Sequence, residues 1–129
     1  EEIYNHPVNS FVAKFIGSAN IVPCRRLDQS SSPGKMTVEA LGVRIEVPLK
    51  ETKQKEGLLA VRPHHIFPNQ DSPLKAKVIG KLYQGDRIDY MLQVQDQQLS
   101  WITDASEEHQ YQVDDVIGIE IKKSVWLDD

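Results

Sequence analysis

Val43, Ile45 and Val47 alternate with Arg44 and Glu46, the period of two that puts one side of a strand into a core and leaves the other in water. Short β-branched runs of this kind recur along the chain: NIVPCRRL (20–27), KMTVEAL (35–41), VRIEVPL (43–49), LLAVRP (58–63), QLSWITD (98–104) and VIGIEIKKSVWL (116–127). The longest, LKAKVIGKLYQGDRIDYMLQVQD (74–96), alternates on both sides of Tyr83-Gln84-Gly85-Asp86-Arg87 and predicts two long strands joined by a hairpin turn. SSSPG (30–34), Gly42 and Asp96-Gln97-Gln98 supply further turns.

Only one stretch changes period. Phe11, Val12, Phe15 and Ile16 stand at helical spacing, with Asn9 or Ser10 as N-cap and Gly17 as the stop, which predicts a short helix over Ser10–Ile16. Its apolar side requires a sheet or a neighbouring domain to pack on. KETKQKEG (50–57) is dense in charge and reads as an exposed loop. Eight or so short strands with little helix in 129 residues predict a mainly β protein, an OB-like barrel or two small barrels with a boundary near 50–57.

A chain of this length with 40% hydrophobic residues is one packed domain or two small ones. Its formal net charge of −4 opposes a nucleic-acid partner, because phosphate binding rests on Lys and Arg. The basic pairs Arg25-Arg26 and Lys122-Lys123 read as solvated surface. Cys24 is the only cysteine, so no intrachain disulfide forms, and a cytosolic setting fits. The opening EEIYNHP lacks an initiator Met and suggests a piece of a longer polypeptide.

Candidate chemistry is sparse. GKLYQGDR (80–87) has two glycines of a phosphate loop, but Asp86 and Arg87 stand where Lys and Ser or Thr are needed. His64 and His65 are adjacent, so on a strand they point to opposite faces, and with His6, His109 and Cys24 they show no metal-ligand spacing. Their bland reading is a turn set by Pro63. Ser30–Ser32 lie in turn sequence, and the acidic pairs Glu107-Glu108, Asp114-Asp115 and Asp128-Asp129 read as solvated charge. No catalytic, cofactor or metal site is expected from these residues. Trp101 and Trp126 are core residues or interface anchors, and the sequence leaves both readings open.

The ordered set EEIYNHPVNSFVAKFIGSAN, LLAVRPHHI, GKLYQGDRIDYMLQV and VDDVIGIEI resembles the C-terminal regulatory region of the ATP-binding subunits of bacterial ABC importers, the group serving maltose, glycerol phosphate, polyamines, iron(III), sulfate and phosphonates. The similarity covers nearly the whole chain. Its most specific part is the family pattern matched at Tyr4, Pro7, Phe11, Val12, Ala13, Phe15, Ile16, Gly17 and Asn20. The family's Val-Arg-Pro-Glu-x-Ile motif corresponds to Val61, Arg62, Pro63, His64, His65 and Ile66, with His64 replacing the usual Glu.

The resemblance implies a transport-associated OB (TOBE-type) region, residues 21–129, after a linker helix (1–20) that follows an ATPase domain. ATP and Mg would belong to that domain and not to these residues. It implies as partners a second copy of the subunit, the subunit's own ATPase domain, the transmembrane permease subunits and, in some members, a regulatory protein or small ligand. The setting would be the inner face of the cell membrane, cytoplasmic and peripheral. Phe11, Phe15, Asn20, Arg62, Pro63, His64, Gly85, Trp101 and Trp126 are the interface or motif candidates. A barrel that senses an oxyanion or a metal is the alternative. FIGSANIVP (15–23) leans toward the iron(III), polyamine and phosphonate branches.

Overall fold

A computed structural model describes residues 19–27, 33–106 and 110–128. The helix expected over Ser10–Ile16, with Phe11 and Phe15, lies outside the described residues, as do His6, Ser30–Ser32 and His109. The described strands are β1 (Asn20–Arg26), β2 (Lys35–Ala40), β3 (Val43–Pro48), β4 (Glu56–Val61), β5 (Ile66–Pro68), β6 (Lys75–Gln84), β7 (Arg87–Val94), β8 (Gln97–Asp104), β9 (Val116–Ile121) and β10 (Val125–Asp128). A 3-10 turn, Pro63–His65, separates β4 from β5. The protein is mainly β, as the alternation predicts, and the strand pairs among the described residues are all antiparallel.

The strands form two five-stranded sheets, ordered β10-β4-β1-β2-β3 and β5-β9-β6-β7-β8. They belong to two units, residues 1–62 with 123–129, and residues 63–122. The chain leaves the first unit at Arg62 and re-enters it at Lys123; the polar stretch 50–57 lies inside that first unit. In the first unit β10 approaches β3 across the sheet, and in the second β8 packs on the 3-10 turn, so each sheet curls toward barrel closure.

The first core gathers Val22, Met36, Val38, Val47, Leu59, Val61 and Trp126, all nearly inaccessible to water. Trp126 reaches it because Gly57 leaves room: a Cβ on Gly57 would stand 2.6 Å from the indole. The indole Nε1 donates to Asp128 Oδ1 at 2.6 Å, and Thr52 Oγ1 donates to the same oxygen at 2.8 Å. Arg26 adds a guanidinium bond to the Thr52 carbonyl at 2.9 Å. One carboxylate therefore ties the last strand to the 49–55 loop, and satisfies an indole N–H that would be costly to bury alone.

The second core gathers Ile66, Val78, Ile88, Tyr90, Leu92, Leu99, Trp101 and Ile119. Each fully buried aliphatic or aromatic side chain contributes about 1.5–3 kcal/mol by leaving water. Gly85, at φ +67°, makes the β6–β7 turn with Gln84 paired to Arg87, the hairpin the sequence predicts. The β7–β8 turn falls at Gln95-Asp96, one residue before the predicted position, with Val94 paired to Gln97 and Gln95 at φ +55°. The run VIGIEIKKSVWL is two strands, β9 in the second unit and β10 in the first.

Candidate interaction surface

Asn20 is the first residue of β1 and pairs with Val61, the last of β4. Antiparallel pairing thereby brings the end of the FVAKFIGSAN motif against the start of VRPHHI. Arg62 follows, exposed, and has no ion-pair partner among the described residues. Pro63 is buried and opens the 3-10 turn, as its fixed φ favours. His64 is exposed, and His65 is half-buried with its carbonyl accepting from Lys122 N at 3.0 Å. Arg62 closes the first unit, and Pro63 and His64 open the second.

The two tryptophans are core residues of this chain. Trp126 is 1% and Trp101 2% exposed. Trp101 lies opposite Tyr90 across β7 and β8, and their rings stack at 4.6 Å between centroids. Tyr111 meets Tyr90 edge-on at 6.4 Å, and its backbone N–H donates to Tyr90 Oη at 3.1 Å. Burial, then the neighbouring Tyr90 and Asp115, push the Tyr111 phenol above its ordinary value.

Lys81 joins this aromatic cluster to the surface. Its ammonium lies 5.2 Å from the Tyr83 ring centroid and 5.8 Å from that of Tyr90, and donates to Gln110 Oε1 at 3.2 Å. Tyr83 Oη donates to the same oxygen at 2.6 Å. Lys81 and Gln110 carry no motif or periodicity that marks them in the sequence. Tyr90 carries one signal, the i, i+2 spacing it shares with Ile88 and Leu92.

Ligand chemistry is weakly provided. A cleft bordered by Asn69, Gln70, Lys75 and Tyr111 has its polar groups turned on one another: Asn69 Nδ2 donates to Glu120 Oε1 at 3.2 Å and Lys75 Nζ to the Gln70 carbonyl at 3.1 Å. A second cleft passes Cys24, Arg25 and Glu39. There Arg25 and Glu39 pair at 2.9 Å, and burial pushes the Cys24 thiol up to about 12, which keeps it protonated and unreactive. Among the described residues, no three His, Cys, Asp or Glu side chains gather as a metal site would require. Among the same residues, no helix is long and apolar enough to cross a membrane.

A family model described as a TOBE domain matches residues 59–127, more than half of the chain. The chain is 27% identical over 123 residues, 94% of its length, to the Fe(3+) ions import ATP-binding protein FbpC of Brucella suis biovar 1 (strain 1330), covering 34% of that relative. It is 32% identical over 102 residues, 72% of its length, to the spermidine/putrescine import ATP-binding protein PotA of Nitrosospira multiformis, covering 28% of it. A second FbpC, from Rhizobium etli, is 30% identical over 91 residues, 69% of this chain and 25% of that relative. The chain thus spans about a third or less of the length of these curated relatives.

Proposed function

The chain belongs to the TOBE domain family, and from that premise we propose that it is the C-terminal regulatory region of the ATP-binding subunit of a bacterial ABC importer. The observation that carries this reading is the alignment of 94% of the chain with only 34% of an import ATP-binding protein. A regulatory module is what would be left when the nucleotide-binding machinery lies in the remaining length. The chemistry of the chain agrees, because a small acidic β protein whose described clefts have their polar groups turned on one another is better suited to contact than to catalysis. Hydrolysis would then belong to the ATPase domain, and the subunit would sit at the inner face of the membrane through its permease partners.

In this reading the region holds two copies of the subunit together through the ATP cycle. Tethered subunits keep a high effective concentration and need not find one another again after each opening. Arg62 and His64, displayed around Pro63, are the side chains that would meet the partner copy or the ATPase domain. Iron(III) or a polyamine is the proposed cargo class, after the names of the relatives.

Sedimentation velocity of the full-length subunit, with and without residues 1–129, tests the role directly. Loss of the dimer and of transport in the shortened subunit is the expected result. An equally dimeric, equally active shortened subunit would sink the reading. Uptake assays with ferric iron and with spermidine assign the cargo.

A further inference from the structure

An outermost strand carries a row of backbone N–H and C=O groups that another chain can pair with, and proteins blunt such edges with charge, proline or shortness. Among the described strands the two sheets have β3 and β10 as edges of the first and β5 and β8 as edges of the second. The first three are blunted. β3 carries Arg44 and Glu46 and ends on Pro48. β5 is three residues long and ends on Pro68, and β10 is four residues long and ends on Asp128.

β8 is built differently. Its eight residues, QQLSWITD, contain no proline and no charge before Asp104 at the end. β7 pairs with one side of it from Gln97 to Asp104, and no described strand pairs with the other. The 3-10 turn Pro63–His65 approaches β8, but three residues without a strand ladder cover only part of an eight-residue edge. Leu99 and Trp101 point into the core, while Gln98 and Asp104 on the opposite face are exposed.

We infer that this edge pairs with β8 of a second copy of the chain, antiparallel and centred on Trp101, so that the two sheets run on as one. The inference rests on the dimeric reading above and adds where the copies meet. An uncharged strand is the best match for an uncharged edge, and the chain itself supplies one. A two-fold axis between identical edges makes the pairing antiparallel. Charge then selects the register, because residues directly opposite share a face and like charges there repel. Centring on Trp101 pairs residues 98–104 of both strands and sets each Asp104 opposite the other copy's Gln98, an amide that donates to a carboxylate. Centring one residue earlier would set Asp104 against Asp96, and one residue later would shorten the overlap to 100–104.

The test uses the whole chain in a Cys24→Ala background as two variants, Gln98→Cys and Asp104→Cys, both at exposed positions. Directly opposite residues lie about 5 Å apart at Cα, within disulfide reach. Position 98 in the two copies lies about 20 Å apart along the strands, as does position 104. Mild oxidation should therefore cross-link a mixture of the two variants and neither variant alone, with an isotope label on one of them identifying the mixed product by mass. Sedimentation velocity of the parent chain runs beside it. A dimer whose mixture gives no mixed cross-link overturns the edge and leaves the dimeric reading standing. A chain that stays monomeric at every concentration also overturns the edge, and the full-length subunit then decides the dimeric reading by itself. Cross-linking of single variants as fast as the mixture means random collision of exposed thiols and overturns the inference too.

Discussion

In the unit of residues 63–122, β6, β7 and β8 follow one another through two tight turns, and each strand pairs with the next. In the other unit, β4 pairs with β1 on one side and on the other with β10, which the chain reaches only after building all of β5 to β9. The difference separates local from non-local construction. Hairpins close short loops at small entropic cost, whereas Val125 must find Ala60 across the whole intervening unit. The first unit offsets that cost with its largest side chain, Trp126, fixed by Asp128 and fitted over Gly57. The hairpin unit instead concentrates stacked aromatics, Tyr90 on Trp101, at directly opposed positions.

The widest test of this contrast is Trp126→Ala. Removing a fully buried indole should cost about 3–5 kcal/mol, and hydrogen exchange should show β10 and β4 losing protection while β6–β7–β8 keep theirs. Simultaneous loss in both units would mean that they fold as one and would break the comparison. Gly57→Ala comes next, at about 1–3 kcal/mol from overpacking, since the new methyl meets both the indole and the Leu127 carbonyl. Denaturation midpoints should place it below Trp126→Ala in effect.

Gly85→Ala probes the other unit. At φ +67° an alanine is strained, and a loss of about 1 kcal/mol is expected, read as faster exchange at the β6–β7 hairpin end with β1 and β4 unchanged. The smallest effect is a pH slope. The Cys24 thiol is held above its ordinary 9.0, at about 12, by burial, so the folded state keeps a proton that the unfolded state releases. Its contribution is complete below pH 9.0 and is lost as the pH rises toward about 12. Cys24→Ala should remove up to one proton of alkaline slope from the stability curve, measured against the parent chain.

Much of the fold was legible because strand sequence encodes face directly: Ile88, Tyr90, Leu92 and Val94 alternate, and all four are buried. The Gly85 hairpin was legible for the same local reason, a turn needing positive φ between two alternating runs. The motif VRPHHI gave away a proline turn, and the structure seats Pro63 in one. What escaped was any property that depends on a distant partner. The tryptophans looked equally suited to core and interface until opposite strands supplied Tyr90 for one and Gly57 for the other. Leu41, buried at φ +57° in the β2–β3 turn, carries no sequence mark of its conformation. The aromatic–lysine cluster joins β6, β7, β8 and the Gln110–Tyr111 segment, which no local window contains.

The sequence by itself determined which stretches are strands and which side chains share a face, because alternation is a property of the extended backbone and needs no partner. The tertiary structure decided which strands meet. VIGIEIKKSVWL reads as one continuous run, yet its halves enter different sheets, since backbone hydrogen bonds are the same for every partner and only side-chain fit across the sheet distinguishes them.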